Sequence, residues 1–195
     1  MDQRTKLLEA AMICLQQRGY ARTTTRDIVA EAGAHLPAVN YYFGSKERLL
    51  DAAITAGLGR WMDTTMATAP SDSPAGPAAL LRDSLAGFLA ALESNRTNVV
   101  AAAEAYAQVS RSEELRESLA AEYQRAAARV EAVVNETEGD DDPLDDRDRR
   151  GVTTVLLALF DGLAIQWLVA PDRSPDAEDV IRSLAILGSV LADEQ

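Results

Sequence analysis

The segment LPAVNYYF, residues 36–43, combines compact side chains with groups that recognise nucleic acids. Its first residues are small enough to let a helix enter the DNA major groove, which is about 12 Å wide. They are followed by an amide that can bond adenine and by two phenols that can donate to phosphate oxygens. We predict that Leu36, Pro37, Ala38 and Asn40 face bases, and that Tyr41 and Tyr42 face phosphates.

Catalytic and metal-binding patterns are scarce in this sequence. A single cysteine, Cys14, excludes a disulfide framework, and a single histidine, His35, excludes zinc sites built on two imidazoles. The chain has no nucleophile elbow and no phosphate-binding loop. Glu104 and Asp161 are acids embedded in apolar segments, but two unlinked carboxylates are a weak signal for acid/base catalysis. We therefore predict neither an enzyme nor a cofactor or metal, and a helical-bundle enzyme is the remote alternative.

Charge is divided unevenly along the chain. Residues 1–50 hold seven Lys or Arg against five Asp or Glu, whereas the rest holds twelve against twenty-six. This asymmetry favours a mildly basic head that meets an anionic partner and an acidic body. The alternative is that the acidic residues only form a solvated surface.

The first 45 residues predict three short helices. Apolar spacing places the first helix at about 3–18, with Gly19 as a left-handed cap. Thr24 and Asp27 resemble a capping box that opens a second helix from Thr25 to Ala32, which ends at Gly33. The segment after Gly33 has Pro37 in its first turn and ends at Gly44. Two short helices joined by a tight turn and packed on a longer helix form a helix-turn-helix, in which the second short helix enters the major groove.

The remainder is also predicted to be helical, since period-two strand patterns are missing. Ser45 caps a helix that extends to about Met66, and the Pro- and Gly-rich stretch 67–79 is a flexible connection. Further helices are predicted at about 77–93, 97–110, 113–137, 147–169 and 176–192, with a mobile acidic loop over 138–148. The fold class is all-α with about nine helices. It consists of a DNA-binding domain at 1–45, called the head below, and a regulatory and dimerisation domain at 46–195, called the body.

One apolar stretch, 152–170, approaches the length of a membrane span. Asp161 and Gln166 lie at its centre and are costly in lipid, so we predict a buried helix of a soluble protein. The N-terminal MDQRTKLLEA has charges where a signal peptide needs an apolar run. We therefore expect a cytoplasmic protein without a membrane partner.

The segment TTTRDIVAEAGAHLPAVNYYFGSKERLLDAAI closely resembles the DNA-binding signature of TetR-type transcriptional regulators. The resemblance covers about residues 4–56. It includes Arg26 and Ile28, Gly33, the aromatic cluster at 41–43 and the Ser-Lys-Glu opening at 45–47. It implies a ligand-responsive regulator, typically a repressor, that binds a palindromic operator as a homodimer.

The resemblance also implies roles for individual residues. Thr25 and Arg26 correspond to phosphate and base contacts, and Arg26 has the reach to bond a guanine bidentately. Tyr41, Tyr42 and Lys46 correspond to phosphate anchors, and His35 lies at the edge of the turn, either in contact with the DNA backbone or simply exposed. Leu36 replaces a polar or basic residue of many members, and Asn40 replaces a common tyrosine. The operator sequence therefore cannot be carried over from them.

The last two helices are the predicted dimer interface, because a helix that is apolar nearly all round must be covered. Gly162, Ala164 and Gly188 would permit close helix approach in a four-helix arrangement. Trp167 could equally face the core of one chain. The interface residues we predict are Leu159, Ile165, Trp167, Leu184, Leu187 and Leu191.

A small, largely apolar effector bound in the body is also implied by the resemblance, with a shift of the fourth helix changing the separation of the two heads. The run VVAAAEAYA carries Glu104 and Tyr106 as polar groups among apolar ones, which suits an apolar pocket with a few orienting groups. The alternative for Glu104 is a carboxylate that is exposed to solvent or paired within the protein. Trp61 and Phe88 complete the predicted ligand-binding set. The alternative to a regulator is a helical protein-interaction module, whose head would not bind DNA in a salt-dependent way.

Overall fold

The computed structural model describes residues 2–67, 77–137 and 144–193, and this part of the chain is all-α. Nine α-helices and one short 3-10 turn at Pro171–Arg173 account for its regular structure. The helices are α1 Gln3–Arg18, α2 Thr25–Ala32, α3 Leu36–Phe43, α4 Lys46–Ala67, α5 Pro77–Ala91, α6 Arg96–Gln108, α7 Glu113–Thr137, α8 Asp146–Val169 and α9 Ala177–Ala192. The predicted fold class and the order of the helices are therefore confirmed.

Local signals place the ends of the first helices. The Asp2 carboxylate accepts a hydrogen bond from the Thr5 amide, 2.7 Å away, and so begins α1. The predicted capping box at α2 is formed in both directions by Thr24 and Asp27. Gly33 ends α2 in the left-handed helical conformation, which glycine adopts without steric cost.

The end of α1 differs from the prediction. Gly19 has a positive φ of 72°, but its ψ of 169° lies outside the left-handed helical region. The buried Thr23 hydroxyl donates to the Gly19 carbonyl at 2.8 Å, and it also lies 3.2 Å from the Cys14 carbonyl. The Gly19 carbonyl is thus oriented toward the Thr23 hydroxyl, and Gly19 is not the left-handed helical cap that we predicted.

Several helix boundaries differ from their predicted positions by one or two residues. Helix α5 begins at Pro77, as predicted, and ends at Ala91, two residues before its predicted end. Helix α8 begins at Asp146, one residue before its predicted start and inside the predicted acidic loop. Asp145 accounts for this early start, because its carboxylate accepts from the amides of Arg147 and Asp148. The rest of the predicted connection, 68–76, and of the acidic loop, 138–143, lies outside the described residues.

Contacts divide the chain into two compact units. The first comprises Met1–Trp61 with Asn95–Gln124, and the second comprises Met62–Ser94 with Arg125–Gln195. The first unit therefore contains the whole head together with most of α4, α6 and the start of α7. The contacts group the head with elements that follow it, so they do not mark a boundary at residue 45. That boundary stays a prediction about which residues bind DNA.

The core of the first unit lies where α1, α2 and α3 meet α4. Leu7, Ile28, Val39 and Leu50 are completely buried there. Cys14 is also buried, and burial raises the pKa of its thiol, as expected for an inert core cysteine. Close packing in this core fixes the three helices of the head against one another.

The core of the second unit is built by α5, α8 and α9 together with the later part of α7. Phe88 of α5 is fully buried and meets Phe160 of α8 edge to face, with ring centroids 4.8 Å apart. Val130 of α7 and Val180 of α9 are buried in the same unit. Aromatic and branched side chains thus hold this bundle together.

Helix α8 is not the buried helix that we predicted. It is the one helix of the described chain long and apolar enough to cross a membrane by length and composition, and only 28% of its most apolar window is buried. One face, with Thr153, Leu163 and Trp167, packs inside the second unit, while Val155 and Val169 are exposed. The prediction failed because a single chain supplies neighbours to only one side of this helix.

Candidate nucleic-acid interface

Helix α3 presents an exposed face opposite its buried anchor. Val39 is completely buried, whereas most other residues of the helix are exposed. Tyr41 is 81% exposed. The outward residues are Leu36, Pro37, Asn40, Tyr41 and Tyr42, with Ala38 half-buried among them.

Aromatic contacts hold α3 in place. The guanidinium of Arg4, on α1, lies 5.1 Å from the centroid of the half-buried Phe43 ring, a cation–π contact. Tyr41 and Tyr42 meet edge to face, with centroids 4.8 Å apart. The two phenols are therefore held as a pair on the exposed side of α3.

The start of α2 is held rigidly and presents Arg26 to solvent. Asp27 accepts from the Thr24 hydroxyl at 2.6 Å and also lies 3.1 Å from the Arg18 guanidinium. Hydrogen bonds from Thr24, with a smaller contribution from Arg18, hold the pKa of Asp27 below its ordinary value. The Arg26 side chain is exposed, and no ion pair joins it to any residue that the structure describes, so its charge is available to a partner.

A shallow groove of about 510 Å³ lies where the turn before α3 meets the start of α1. It includes Gln3, a residue that sequence reasoning missed, because spacing along the chain does not show which end of α1 lies beside α3. The exposed His35 also borders it, at the edge of the turn as predicted. The lining residues are Gln3, Gly33, Ala34, His35, Pro37, Ala38, Tyr41 and Tyr42.

Lys46 has a structural contact as well as its predicted role. Its ammonium donates to the Thr23 carbonyl at 3.3 Å, and it lies 3.5 Å from the Glu47 carboxylate. The contact ties the start of α4 to the segment that precedes α2. An ammonium has three hydrogens, so the bond to the Thr23 carbonyl leaves donors for a phosphate. The role of Lys46 as a phosphate anchor stays a prediction.

The predicted ligand-binding residues are divided between the two units. Trp61 is buried, while Tyr106 is exposed and its hydroxyl contacts that of Tyr123. Glu104 is half-buried and lies against the turn after α1: a Cβ placed on Gly19 would be 3.2 Å from its carboxylate oxygen. Glu104 has this position because α6 packs against α1. Phe88 belongs to the other unit, and a ligand-binding role for these residues stays a prediction.

The predicted dimer residues divide into two groups. Leu187 and Leu191 on α9 are 59% and 63% exposed, and Ile165 on α8 is also exposed. Leu159 and Leu184 are half-buried. Trp167 is only 6% exposed and packs inside its own unit, so its assignment to the dimer surface is wrong and the alternative, the core of one chain, holds.

Taken together, an all-α chain with a helix-turn-helix, an outward-facing α3 and a separate helical unit defines a helix-turn-helix DNA-binding protein. Within the described residues, no three His, Cys, Asp or Glu side chains are arranged to hold a metal ion. Comparisons with known proteins extend this conclusion.

The sequence model of bacterial regulatory proteins of the tetR family matches residues 7–53. The model of the C-terminal region of BetI-type transcriptional repressors matches residues 77–191, more than half of the chain. The chain therefore belongs to the TetR family. It is a DNA-binding transcriptional regulator and not an enzyme, as the sequence predicted.

Solved structures agree on the fold. A protein from Pseudomonas aeruginosa, described as a transcriptional regulator, has 22% identity and a TM-score of 0.74 over 96% of this chain and 89% of its own. A TetR transcription regulator from Haloarcula marismortui has 26% identity and a TM-score of 0.69 over 100% and 98%. A regulator from Saccharomonospora viridis, in complex with choline, has 22% identity and a TM-score of 0.68 over 93% of each chain. No curated protein matches the sequence significantly.

Proposed function

We propose that this protein is a cytoplasmic, effector-responsive repressor that binds a palindromic operator as a homodimer, with α3 in the major groove. The observation that carries the proposal is the outward face of α3, whose buried Val39 leaves small and hydrogen-bonding side chains exposed. A helix of this kind fits the groove and reads base edges. The match to the C-terminal region of BetI-type repressors supports repression over activation.

Within this proposal, the contacts fall into two classes. Leu36, Pro37, Ala38 and Asn40 meet base edges, where Leu36 offers an apolar contact to a thymine methyl and Asn40 suits adenine. Arg26 reaches a guanine from the start of α2. Phosphates are contacted by Thr25, His35, Tyr41, Tyr42 and Lys46, which set the register of the head without reading sequence.

The deciding experiment is binding of the purified full chain to duplexes from its own upstream region over a range of salt concentrations. A regulator contacts phosphates and releases counterions, so the logarithm of the binding constant should fall linearly with the logarithm of salt concentration. A scrambled duplex of the same length is the control for specificity. Binding that is absent at low salt, or equal for both duplexes, would favour a protein-interaction module instead.

The homodimer is proposed on the exposed apolar surfaces of α8 and α9. Val155 and Val169 on α8 are uncovered, as are Leu187 and Leu191 on α9. Several large apolar side chains left exposed on one helical unit are typical of a protein interface. In a two-fold dimer, the exposed apolar residues of one copy pack against the same residues of the other copy. The dimer also has the two heads that a palindromic operator requires.

The effector proposal is a small, largely apolar molecule that binds the body and releases the operator. Choline is the first compound to test, because the Saccharomonospora viridis neighbour holds it. Trp61 and Trp167 are both buried and provide intrinsic fluorescence as a reporter of binding.

Linkage makes the effector test quantitative. A compound that lowers operator affinity must bind the DNA-loaded protein more weakly by the same factor. If choline binds the protein but leaves operator affinity unchanged, then choline is not the effector. Acetate serves as an anionic comparison, and stronger release by anions than by cations would contradict a ligand contact for Glu104.

A further inference from the structure

Asp51, in the second turn of α4, joins two segments that are distant in sequence. Its Oδ1 accepts a hydrogen bond from the Tyr20 hydroxyl at 3.0 Å, and its Oδ2 accepts one from the Ser112 hydroxyl at 3.0 Å. Tyr20 belongs to the turn between α1 and α2 of the head, and Ser112 immediately precedes α7. One carboxylate therefore links the head, α4 and the start of α7, all within the first unit.

The Ser112 end of this link is fixed to α7. The Ser112 oxygen accepts from the Leu115 amide at 3.1 Å, which caps the helix. Because that oxygen is engaged by the helix, the hydroxyl hydrogen is the part directed to Asp51. A displacement of the first turn of α7 must therefore carry the Ser112 donor with it.

The Tyr20 end is fixed to the head. Tyr20 follows Gly19, whose carbonyl is held by the buried Thr23 hydroxyl, and Thr23 leads directly into the cap of α2. Burial, together with the negative charge of Asp51, raises the pKa of Tyr20 well above its ordinary value. The phenol thus stays protonated and remains a donor at every physiological pH.

Two other side-chain contacts in the first unit give a comparison for the link through Asp51. Gln16 and Thr97 join α1 to α6 through a neutral contact at 2.7 Å, and Arg48 and Glu114 form an exposed ion pair at 3.5 Å. Hydrogen bonds to an ionised group are about twice as strong as neutral ones, and exposed ion pairs contribute little. We therefore expect the link through Asp51 to be stronger than either of these two contacts.

We propose that Asp51 is a positioning residue that transmits a displacement at the start of α7 to the DNA-reading head, through Tyr20 and without touching DNA. The inference rests on the proposed operator binding and adds the route by which the body controls it. Loss of either hydroxyl uncouples the turn before α2 from α7. The head then samples more orientations, and operator affinity falls.

The test compares Tyr20→Phe, Ser112→Ala and the double variant by operator affinity. Each single variant should bind about threefold to tenfold more weakly, the effect expected from one lost hydrogen bond. The double variant should bind no more weakly than the weaker single variant, because both substitutions interrupt one path. Independent contributions would multiply instead, and that result would overturn the proposal.

Two matched controls separate the link from general effects. Ser112→Thr keeps both the hydroxyl donor and the α7 cap, so it should retain wild-type affinity. Tyr123→Phe removes a phenol contact between α6 and α7 that does not involve the head, and it should also bind as the wild type does. A loss of affinity in either control equal to that of Tyr20→Phe would overturn the proposal.

A second measurement does not require DNA. Amide hydrogen exchange at residues 20–24 should rise in Ser112→Ala, and exchange at residues 115–118 should rise in Tyr20→Phe, so that either variant tests the link if the other fails to fold. Unchanged exchange across the link overturns the proposal. If the wild type binds no duplex specifically, the proposed function fails, while this exchange experiment still decides whether Asp51 couples the two segments.

Discussion

Tyr41 on α3 is 81% exposed, and the proposed partner of its phenol is a phosphate. Tyr41→Phe should therefore weaken binding by about threefold to tenfold for every duplex alike, without changing stability. Because the lost donor is neutral, the slope of affinity against salt should stay the same. Titrations of an operator and a scrambled duplex at several salt concentrations measure both effects, and a change in sequence preference would contradict the assignment.

Arg26 is the contrasting residue, since we assign it to a base. Arg26→Ala should lower operator affinity by about 1–3 kcal/mol and relax preference at one position of each half-site. Selection of bound duplexes from a randomised pool reads this preference directly. Arg182→Ala, which removes an exposed arginine from α9, is the control and should leave the selected sequence unchanged. A selected sequence that is the same for Arg26→Ala and the wild type would remove Arg26 from base recognition.

The cap of α2 gives this region a pH dependence in acid. The folded protein holds the pKa of Asp27 below the ordinary value of 3.8, so its stabilising effect is complete above that pH and is lost as pH falls through the lowered value. The difference in unfolding free energy between wild type and Asp27→Asn should thus be constant near neutrality and shrink below pH 3.8. Glu31→Gln, an exposed carboxyl further along α2, is the control for charge alone. Equal differences at pH 3 and pH 7, measured by urea unfolding, would contradict this role.

At the scale of elements, the crossing of α4 and α6 depends on one glycine. A Cβ on Gly57 would lie 2.6 Å from the Cβ of Ala101, closer than two such atoms can approach. Gly57→Ala should therefore destabilise the protein by about 1–3 kcal/mol, because the strain exceeds the gain in helix propensity.

The matched control for Gly57 is another helical glycine. Gly151, on α8, has open space within 4 Å of its added Cβ, and Gly151→Ala should stabilise by about 0.5–1 kcal/mol. Urea unfolding of both variants compares the two environments directly. Similar stability changes in the two would show that α4 and α6 adjust without cost.

At the scale of the whole molecule, the exposed apolar residues of α9 determine the expected assembly. In the proposed dimer, Leu187→Glu places two charges at the two-fold interface and removes two leucines that the partner would bury. The dissociation constant of the dimer should therefore rise by about a hundredfold or more. Ser189→Glu, on the opposite side of α9, should leave the dimer intact. Sedimentation at several concentrations distinguishes these outcomes, and a Leu187→Glu dimer would remove α9 from the interface.

Much of the head could be predicted because its signals are local. The capping box at Thr24, the left-handed Gly33 and the position of Pro37 each act over three or four residues, and the structure has all three. Short-range hydrogen bonding and helical periodicity thus determined the helices and the outward face of α3.

Tertiary contacts decided the rest, since they join residues that no local pattern relates. Glu104 lies against Gly19, and Asp51 joins Tyr20 to Ser112, because α6 and the start of α7 pack with the head in one unit. Trp167 and Val169 are neighbours on an apolar helix, yet only the first is buried. The hydrophobicity of the sequence by itself determined that the apolar surface of α8 must be buried against something. Which face of α8 is buried within a single chain depended on how the helices of that chain pack.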